Sequence, residues 1–374
     1  MDRPKKILVL YASAGHGHEK AAKAVAEACR ALSGAPDAVK IIDTIQWAPA
    51  FYGNFYRRSY LTLIQHTPWL WGLLYYGLDQ GWIYGWMRWV RRIVNSITAR
   101  KLKQLIIHEN PDVIVTAHFM STEVASHLKQ SGQTNAKIIN VITDYLPHHI
   151  WLGKCVDIYA VALQETKAHL IRWGVTAEKI RVVGIPVEKK FLSRLPALEA
   201  RKKLSLDPKA FTVLITSGGA GIGSMKNIVK RLLGLKKSIQ ILVVCGTNQE
   251  LRDVLSASAK ENALLKPLGF VNNMDECMAA SDIVIGKGGG LTVAESLSQG
   301  KPMILFQSIP GQEARNAACI QKYKAGLVAN SPEEVVRQVI KLLESPAAME
   351  AVKKSANEMY IPDSAARIAR LALE

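Results

Sequence analysis

The sequence predicts an α/β protein of two doubly wound domains that face each other across a cleft. Three observations carry this reading. Short branched-apolar runs alternate with segments of helical spacing along most of the chain, the pattern of parallel sheets covered on both faces. The 374 residues are too many for one small core. Each half opens on the same plan: a strand, a glycine-rich turn and a helix. The first domain is expected over residues 1–187 and the second over 188–374, with a charged, proline-punctuated linker region at 188–208. The last helix is expected to pack back on the first domain.

The first strand is read at 7–11, where Ile7-Leu8-Val9-Leu10-Tyr11 is suited to burial. A signal peptide is the other reading of this start, but the apolar run is too short and leads into a polar turn. That turn is Ser13-Ala14-Gly15-His16-Gly17-His18, and an alanine-rich helix over 20–32 follows, ending near Gly34 and Pro36. Open α/β sheets bind ligands beyond the carboxyl ends of their strands. The positive end of a helix favours neutral imidazole, the form that can accept a proton. His18 and His16 are therefore candidate bases, with a role in capping the turn as the alternative for either.

Residues 39–44 read as the second strand. The segment 47–92 then departs from the pattern. It holds 14 of the 26 aromatic residues and five arginines against one acid, Asp79. Tyr52, Tyr56 and Tyr60 recur at helical spacing around Arg57 and Arg58, and Trp82, Trp86 and Trp89 recur beside Arg88, Arg91 and Arg92. Tryptophan and tyrosine favour the headgroup level of a bilayer, and arginine favours anionic lipid there. The segment reads as one or two amphipathic stretches lying on a membrane surface. An aromatic-rich core subdomain is the alternative. A spanning helix over 69–90 is disfavoured by Asp79, Gln80, Arg88 and four glycines. Aromatics among arginines can also stack on single-stranded nucleic acid, but no RNA-binding signature accompanies them.

Helix is expected over 96–109, strand at 111–116, helix over 121–130 and strand at 137–143. The last of these leads into Asp144-Tyr145-Leu146-Pro147-His148-His149-Ile150-Trp151. Asp144 lies past a strand end, on the same sheet rim as His18. It could orient a base or bind an acceptor hydroxyl, or be satisfied by loop N–H groups. His148 and His149 are not expected to bind metal, because adjacent residues point different ways. A strand at 157–162, a helix over 165–173 and the run 182–187 complete the first half.

In the second half, strands are expected at 211–216, 240–245, around Leu268, at 282–285 and at 302–307. Two glycine-rich turns follow strands: Gly218, Gly219, Gly221 and Gly223 in one, Lys287, Gly288, Gly289 and Gly290 in the other. Such turns expose backbone N–H groups at a helix start, a geometry that holds phosphate. Glu295 falls in the first turns of the helix after the second, where a carboxylate can accept hydrogen bonds from ribose hydroxyls. Gln312, Glu313 and Asn316 open another helix and suit sugar hydroxyls. The final helices, at 332–344 and 364–373, carry no readable chemistry.

Composition narrows the partners. The formal net charge of +17 calls for an anionic surface, nucleic acid or acidic membrane. The excess is spread over both halves without a basic tail, so nucleic acid is not an expected partner. Five scattered cysteines without a C-x-x-C pair exclude a disulfide framework and a zinc site.

Taken in order, these pieces resemble the GT-B glycosyltransferases that add sugar to diacylglycerol: the monogalactosyldiacylglycerol synthase and processive diacylglycerol glucosyltransferase group, related to the enzyme that adds N-acetylglucosamine to lipid I. In the first half the matching residues are 13–18 with Ala21-Ala22, Thr143-Asp144 with His148 and Trp151, and Gly184-Ile185-Pro186. In the second they are 217–223, Gly269-Phe270-Val271 with Met274, 287–295, and Pro310-Gly311-Gln312-Glu313 with Asn316. The resemblance implies a peripheral, inverting enzyme at the cytoplasmic face of the cell membrane, with no metal or cofactor. UDP-glucose or UDP-galactose would be the donor, diacylglycerol the acceptor and anionic lipid the surface. It implies that Phe270 and Val271 meet the uracil and Glu295 the ribose. The glycine turns with Thr292 would hold the diphosphate, and Gln312, Glu313 and Asn316 the sugar. It makes His18 the base with Asp144 nearby, although His16 stands where relatives often carry glycine or asparagine. Alternatives are a transferase with another lipid acceptor such as a polyprenyl-diphosphate-linked sugar, a UDP-sugar 2-epimerase, and a non-catalytic membrane-binding protein.

Overall fold

The computed structural model describes residues 3–13, 15–49, 62–63, 67–81, 83, 85, 98–216, 225–235 and 237–374. The chain divides into two compact units: Met1–Glu188 with Ile309–Gln312 and Ile361–Glu374, and Lys189–Ser308 with Glu313–Tyr360.

The first unit is built on one parallel sheet: β1 (Ile7–Tyr11), β2 (Val39–Asp43), β3 (Val113–Thr116), β4 (Lys137–Val141), β5 (Ile158–Val161) and β6 (Ile180–Val182). Their order is β2-β1-β3-β4-β5-β6. Side chains alternate between the faces, so neighbouring apolar residues feed two cores. Ile7, Val9, Val113, Val115 and Ile139 pack on one side with Val25 and with Ile368 of the C-terminal helix, Ser364–Leu373. Leu8, Leu10, Ile114 and Ile138 pack on the other with Ile106 and Leu128. Each such side chain contributes about 1.5–3 kcal/mol by leaving water, which is why the strands read as unbroken apolar runs. Besides that C-terminal helix, the helices described in this unit are α1 (His16–Ser33), α2 (Pro68–Leu78), α3 (Arg100–Glu109), α4 (Phe119–Gln130) and α5 (Gln164–Arg172).

The second unit repeats the plan. Its strands are β7 (Phe211–Thr216), β8 (Ile239–Val244), β9 (Leu265–Leu268), β10 (Ile283–Gly286), β11 (Met303–Phe306) and β12 (Gly326–Ala329), in the order β12-β11-β10-β7-β8-β9. Its helices are α6 (Ala197–Lys203), α7 (Met225–Leu233), α8 (Gln249–Ala259), α9 (Met274–Ala280), α10 (Gly290–Ser298), α11 (Gln312–Lys322), α12 (Pro332–Glu344) and α13 (Pro346–Met359). α11 starts on Gln312, the last residue of an excursion that belongs to the first unit.

Sheet order locates the ligand rims. In the first unit the chain runs from β1 out to β2 and returns on the other side of β1 as β3. In the second it runs β7-β8-β9 and returns beside β7 as β10. Ligands bind outside the carboxyl ends of strands at such reversals. Those positions are the turns after β1 and β3, and the turns after β7 and β10.

Several elements differ from the sequence expectation. α1 starts at His16 rather than at residue 20, with Gly15 as its extended N-cap, so both histidines lie on the first turn of the helix. The region 188–208 contains α6, whose buried Arg201 pairs with Asp282 at 2.7 Å and holds it to the second unit. β12 and α13 have no counterpart in the sequence reading: β12 is four residues long and α13 follows α12 after Ser345 alone. All five cysteines are free. Burial raises the Cys277 thiol to about 12 and the Cys29 thiol to about 11, which leaves them unreactive. Among the described residues no helix is long and apolar enough to cross a membrane.

Candidate active site

The first unit's rim gathers around His18. Asp43, at the end of β2, accepts hydrogen bonds from the backbone N–H of Ser13 at 3.1 Å and of Ile45 at 3.2 Å, which pins the turn leading into α1. The next turn of chain places His18 against the end of β3. Its Nδ1 lies 2.8 Å from the carbonyl oxygen of Ala117 and 3.2 Å from Thr143 Oγ1. A carbonyl only accepts, so Nδ1 carries the proton and Nε2 keeps its lone pair. Loss of water around the ring, only partly offset by the Ala117 carbonyl, pushes the His18 pKa down to about 4. At neutral pH His18 is therefore an unprotonated imidazole with a defined tautomer.

The surrounding shell is aromatic and well bonded. His118, at the N-cap of α4, is 2% exposed and meets His18 edge-on with centroids 4.9 Å apart. Its Nδ1 accepts from the N–H of Met120. Trp151 is buried 6.0 Å from His18, and its Nε1–H donates to Asp144 Oδ2 at 3.2 Å. Asn140 is fully buried beneath them, donating to the Trp151 carbonyl at 2.8 Å and accepting from Thr122 at 3.1 Å. Asp144 is thus tied to Trp151, one residue beyond the threonine that touches His18. His16, two residues before His18, is exposed on the first turn of α1.

His148 turns inward. Its Nδ1 accepts from the N–H of Ile150 at 3.0 Å, and its Nε2 lies 2.9 Å from the Tyr75 carbonyl oxygen and donates to it. Both nitrogens are engaged by the fold, so His148 holds α2 in place. His149 stacks on Trp173 at 3.9 Å, and its backbone N–H and Nδ1 both lie about 3 Å from Asp79 Oδ1. Among the described residues no group of three His, Cys, Asp or Glu side chains gathers to hold a metal ion.

On the second unit's rim, β10 ends in Gly286 and the turn 287–289 leads into α10, whose N-cap is Gly289. Asn316 is fully buried and donates to the Gly288 carbonyl at 3.0 Å, while Gly288 N–H donates to Ser308 Oγ at 3.2 Å. A Cβ on Gly288 would lie 2.2 Å from the Glu313 carbonyl oxygen, so glycine is required for the start of α11 to approach this turn. Lys287, Gln312 and Glu313 are half-buried, and Thr292 lies in the first turn of α10. Phe270, just past β9, is 53% exposed beside half-buried Val271. Glu295 is only 3% exposed, one turn deeper in α10. The N-termini of α10 and α11 thus flank one turn, and their N–H groups favour anions.

Gly218, Gly219, Gly221 and Gly223 lie outside the described residues. So do Tyr56, Arg57, Arg58, Trp82, Trp86, Trp89, Arg91 and Arg92. What the structure gives of the aromatic segment is chiefly α2. Its outer edge exposes Trp69 at 68%, Leu73 at 66% and Tyr76 at 42%. Two rim residues escaped the sequence reading. His118 becomes a neighbour of His18 only once β3 is known to lie beside β1. Arg252, on α8, has a guanidinium nitrogen 3.3 Å from where a Gly269 Cβ would stand, beside Phe270.

Two parallel six-stranded α/β units, each with its rim at the strand ends, make up the GT-B fold. Solved structures agree on the fold. MurG from Acinetobacter baumannii aligns with a TM-score of 0.63 at 16% identity, covering 99% of both chains. Anabaena Alr3699/HepE in complex with UDP and glucose aligns at 0.59 and 14% identity, covering 98% of this chain and 99% of that one. A putative UDP-N-acetylglucosamine 2-epimerase from Listeria monocytogenes aligns at 0.64 and 15%, over 98% and 95%. Sequence comparison is more specific. The family model for monogalactosyldiacylglycerol (MGDG) synthase matches residues 18–187, and that for the glycosyltransferase family 28 C-terminal domain matches 212–368. The processive diacylglycerol beta-glucosyltransferase of Bacillus subtilis (strain 168) is 30% identical over 367 residues, 97% of this chain and 94% of that protein. That of Staphylococcus epidermidis is 33% identical over 271 residues, 72% of this chain and 69% of that protein. The chain belongs to the diacylglycerol glycosyltransferase family.

Proposed function

We propose that the protein transfers a hexose from a UDP-sugar to the hydroxyl of diacylglycerol, with inversion and without metal, at the cytoplasmic surface of the cell membrane. Glucose is the first candidate donor sugar, because the relatives' names carry it. The observation that carries the mechanism is the His18 geometry: Nδ1–H donated to Ala117, Nε2 free as an acceptor and a pKa near 4. Nε2 takes the proton from the acceptor hydroxyl as its oxygen attacks the anomeric carbon from the face opposite UDP. The bond from that carbon to the diphosphate oxygen breaks, and UDP leaves with the electron pair. One displacement on an α-linked donor gives a β-linked product. Asp144 keeps Trp151 against the base. Charge on the departing diphosphate is met by the N-termini of α10 and α11 and by Lys287. The exposed edge of α2 and the net charge of +17 support docking on an anionic lipid surface, where the acceptor resides.

The test offers radiolabelled UDP-glucose and UDP-galactose separately to the protein with diacylglycerol in anionic vesicles, in the presence of a chelator. A β-linked glycolipid from one donor is the expected result. Absence of labelled lipid with either donor overturns the reading.

A further inference from the structure

α2 carries glycine in mid-helix, where alanine would favour the helix by about 1 kcal/mol. The structure gives a reason at Gly72. A Cβ there would lie 2.9 Å from Cβ of Pro310, closer than real carbons approach. One turn further along the same edge, the Tyr75 ring covers Gly311, with ring carbons 2.9–3.2 Å from the position of a Cβ. Gly311 has φ +102°, a backbone that other residues strain to adopt. Pro310 and Gly311 belong to the 309–312 excursion of the first unit, together with α2. The inner edge is fixed independently. The Tyr75 carbonyl accepts from His148 Nε2, Tyr75 and His148 rings lie 4.4 Å apart, and Asp79 holds His149. Tyr75 is 7% exposed, whereas Trp69, Leu73 and Tyr76, further round the helix, are open.

We propose that Gly72 and Tyr75 are positioning residues for the donor sugar: they seat the Pro310-Gly311 turn so that Gln312, the next residue, is presented to the hexose. This rests on the reading of Gln312 as a sugar-binding residue. The seat acts through backbone placement, so its disturbance weakens donor binding before it affects chemistry. Helix α2 thereby serves two ends from adjoining faces, lipid on the exposed one and the donor turn on the buried one.

The test uses the full chain with Gly72→Ala, Tyr75→Leu and Tyr75→Phe. Donor KM, acceptor KM and kcat are measured in vesicles of phosphatidylglycerol, phosphatidylcholine and diacylglycerol. UDP-glucose affinity is measured by calorimetry without lipid, vesicle binding by sedimentation and Tm by scanning calorimetry. Gly72→Ala and Tyr75→Leu are expected to raise donor KM and Kd about tenfold, with acceptor KM and vesicle binding within about twofold. Tyr75→Phe keeps the ring over Gly311 and is expected to keep the donor KM of the wild type. Gly72→Ala favours the helix, so a donor defect without a fall in Tm separates positioning from folding. The proposal is overturned by donor affinity within about twofold of wild type in both Gly72→Ala and Tyr75→Leu. It is also overturned by equal losses across donor, acceptor, vesicle binding and Tm, or by a Tyr75→Phe variant as impaired as Tyr75→Leu. Wild-type protein that binds UDP-glucose but makes no glycolipid refutes the diacylglycerol reaction alone, and the affinity measurement still tests the seat.

Discussion

Acidifying the transfer reaction tests the environment of His18 directly. An ordinary solvated histidine near pKa 6.5 is about nine-tenths protonated at about pH 5.5 and can accept no proton from the hydroxyl. With its pKa held at about 4 by burial, His18 is still about 97% neutral there. The expected kcat/KM at about pH 5.5 is therefore within about twofold of its value at neutral pH, where an ordinary histidine would give about a tenfold loss. The acid limb should be centred near pH 4. The assay is the initial rate at donor concentrations well below KM, at constant ionic strength, in vesicles whose lipid does not titrate in this range. His18→Gln should lower the rate about 10²- to 10⁴-fold and remove the acid limb, while His16→Gln should keep it. An acid limb near pH 6.5 in the wild type, or its survival in His18→Gln, would refute both the assignment of the base and the argument from desolvation.

The same shift predicts a stability trend. The folded-state pKa is lowered, so between about pH 6.5 and about pH 4 the unfolded chain binds a proton that folded His18 does not. Its contribution falls as pH drops through that window, and urea unfolding of the wild type against His18→Gln should show the difference. Gly288→Ala places a methyl 2.2 Å from the Glu313 carbonyl oxygen, and backbone must move; UDP affinity should fall about tenfold or more by calorimetry. Asn140→Ala strips the Trp151 carbonyl and Thr122 hydroxyl of a buried partner and should cost about 2–3 kcal/mol in unfolding free energy. Trp69→Ser with Leu73→Ser removes two apolar side chains from the open edge of α2; vesicle sedimentation should weaken at least about tenfold while UDP affinity stays unchanged.

The fold was legible because parallel strands buried on both faces must be apolar along their whole length. β1, β3, β4, β7 and β10 stand out for that reason, and the helices between them for their period. Elements whose local signal is short or mixed were not legible. β12 is Gly-Leu-Val-Ala, α6 sits in a charged stretch that reads as linker, and α13 follows α12 without a break long enough to announce it. The start of α1 was misplaced because His16 and Gly17 are poor helix formers whose place is set by Gly15 and the end of β1.

The candidate site divides in the same way. The sequence marked the candidates: the His16-Gly17-His18 run after a strand, Asp144 past another, the glycine turn at 287–290 and the polar start of α11. Those signals are local, a residue type next to a strand end or a helix start. Tertiary structure showed which of them lie together and which ring nitrogen of His18 keeps its lone pair. The return of the chain beside β1 brings Ala117 to His18, and a carbonyl at 2.8 Å fixes the proton on Nδ1 and leaves Nε2 free. It turned His148 from a rim histidine into a support for α2, and it set Tyr75 over Gly311, residues 236 positions apart. No spacing rule encodes such contacts, because a hydrogen bond or a van der Waals seat depends on distance in space, and sheet order sets that distance without leaving a local trace in the chain.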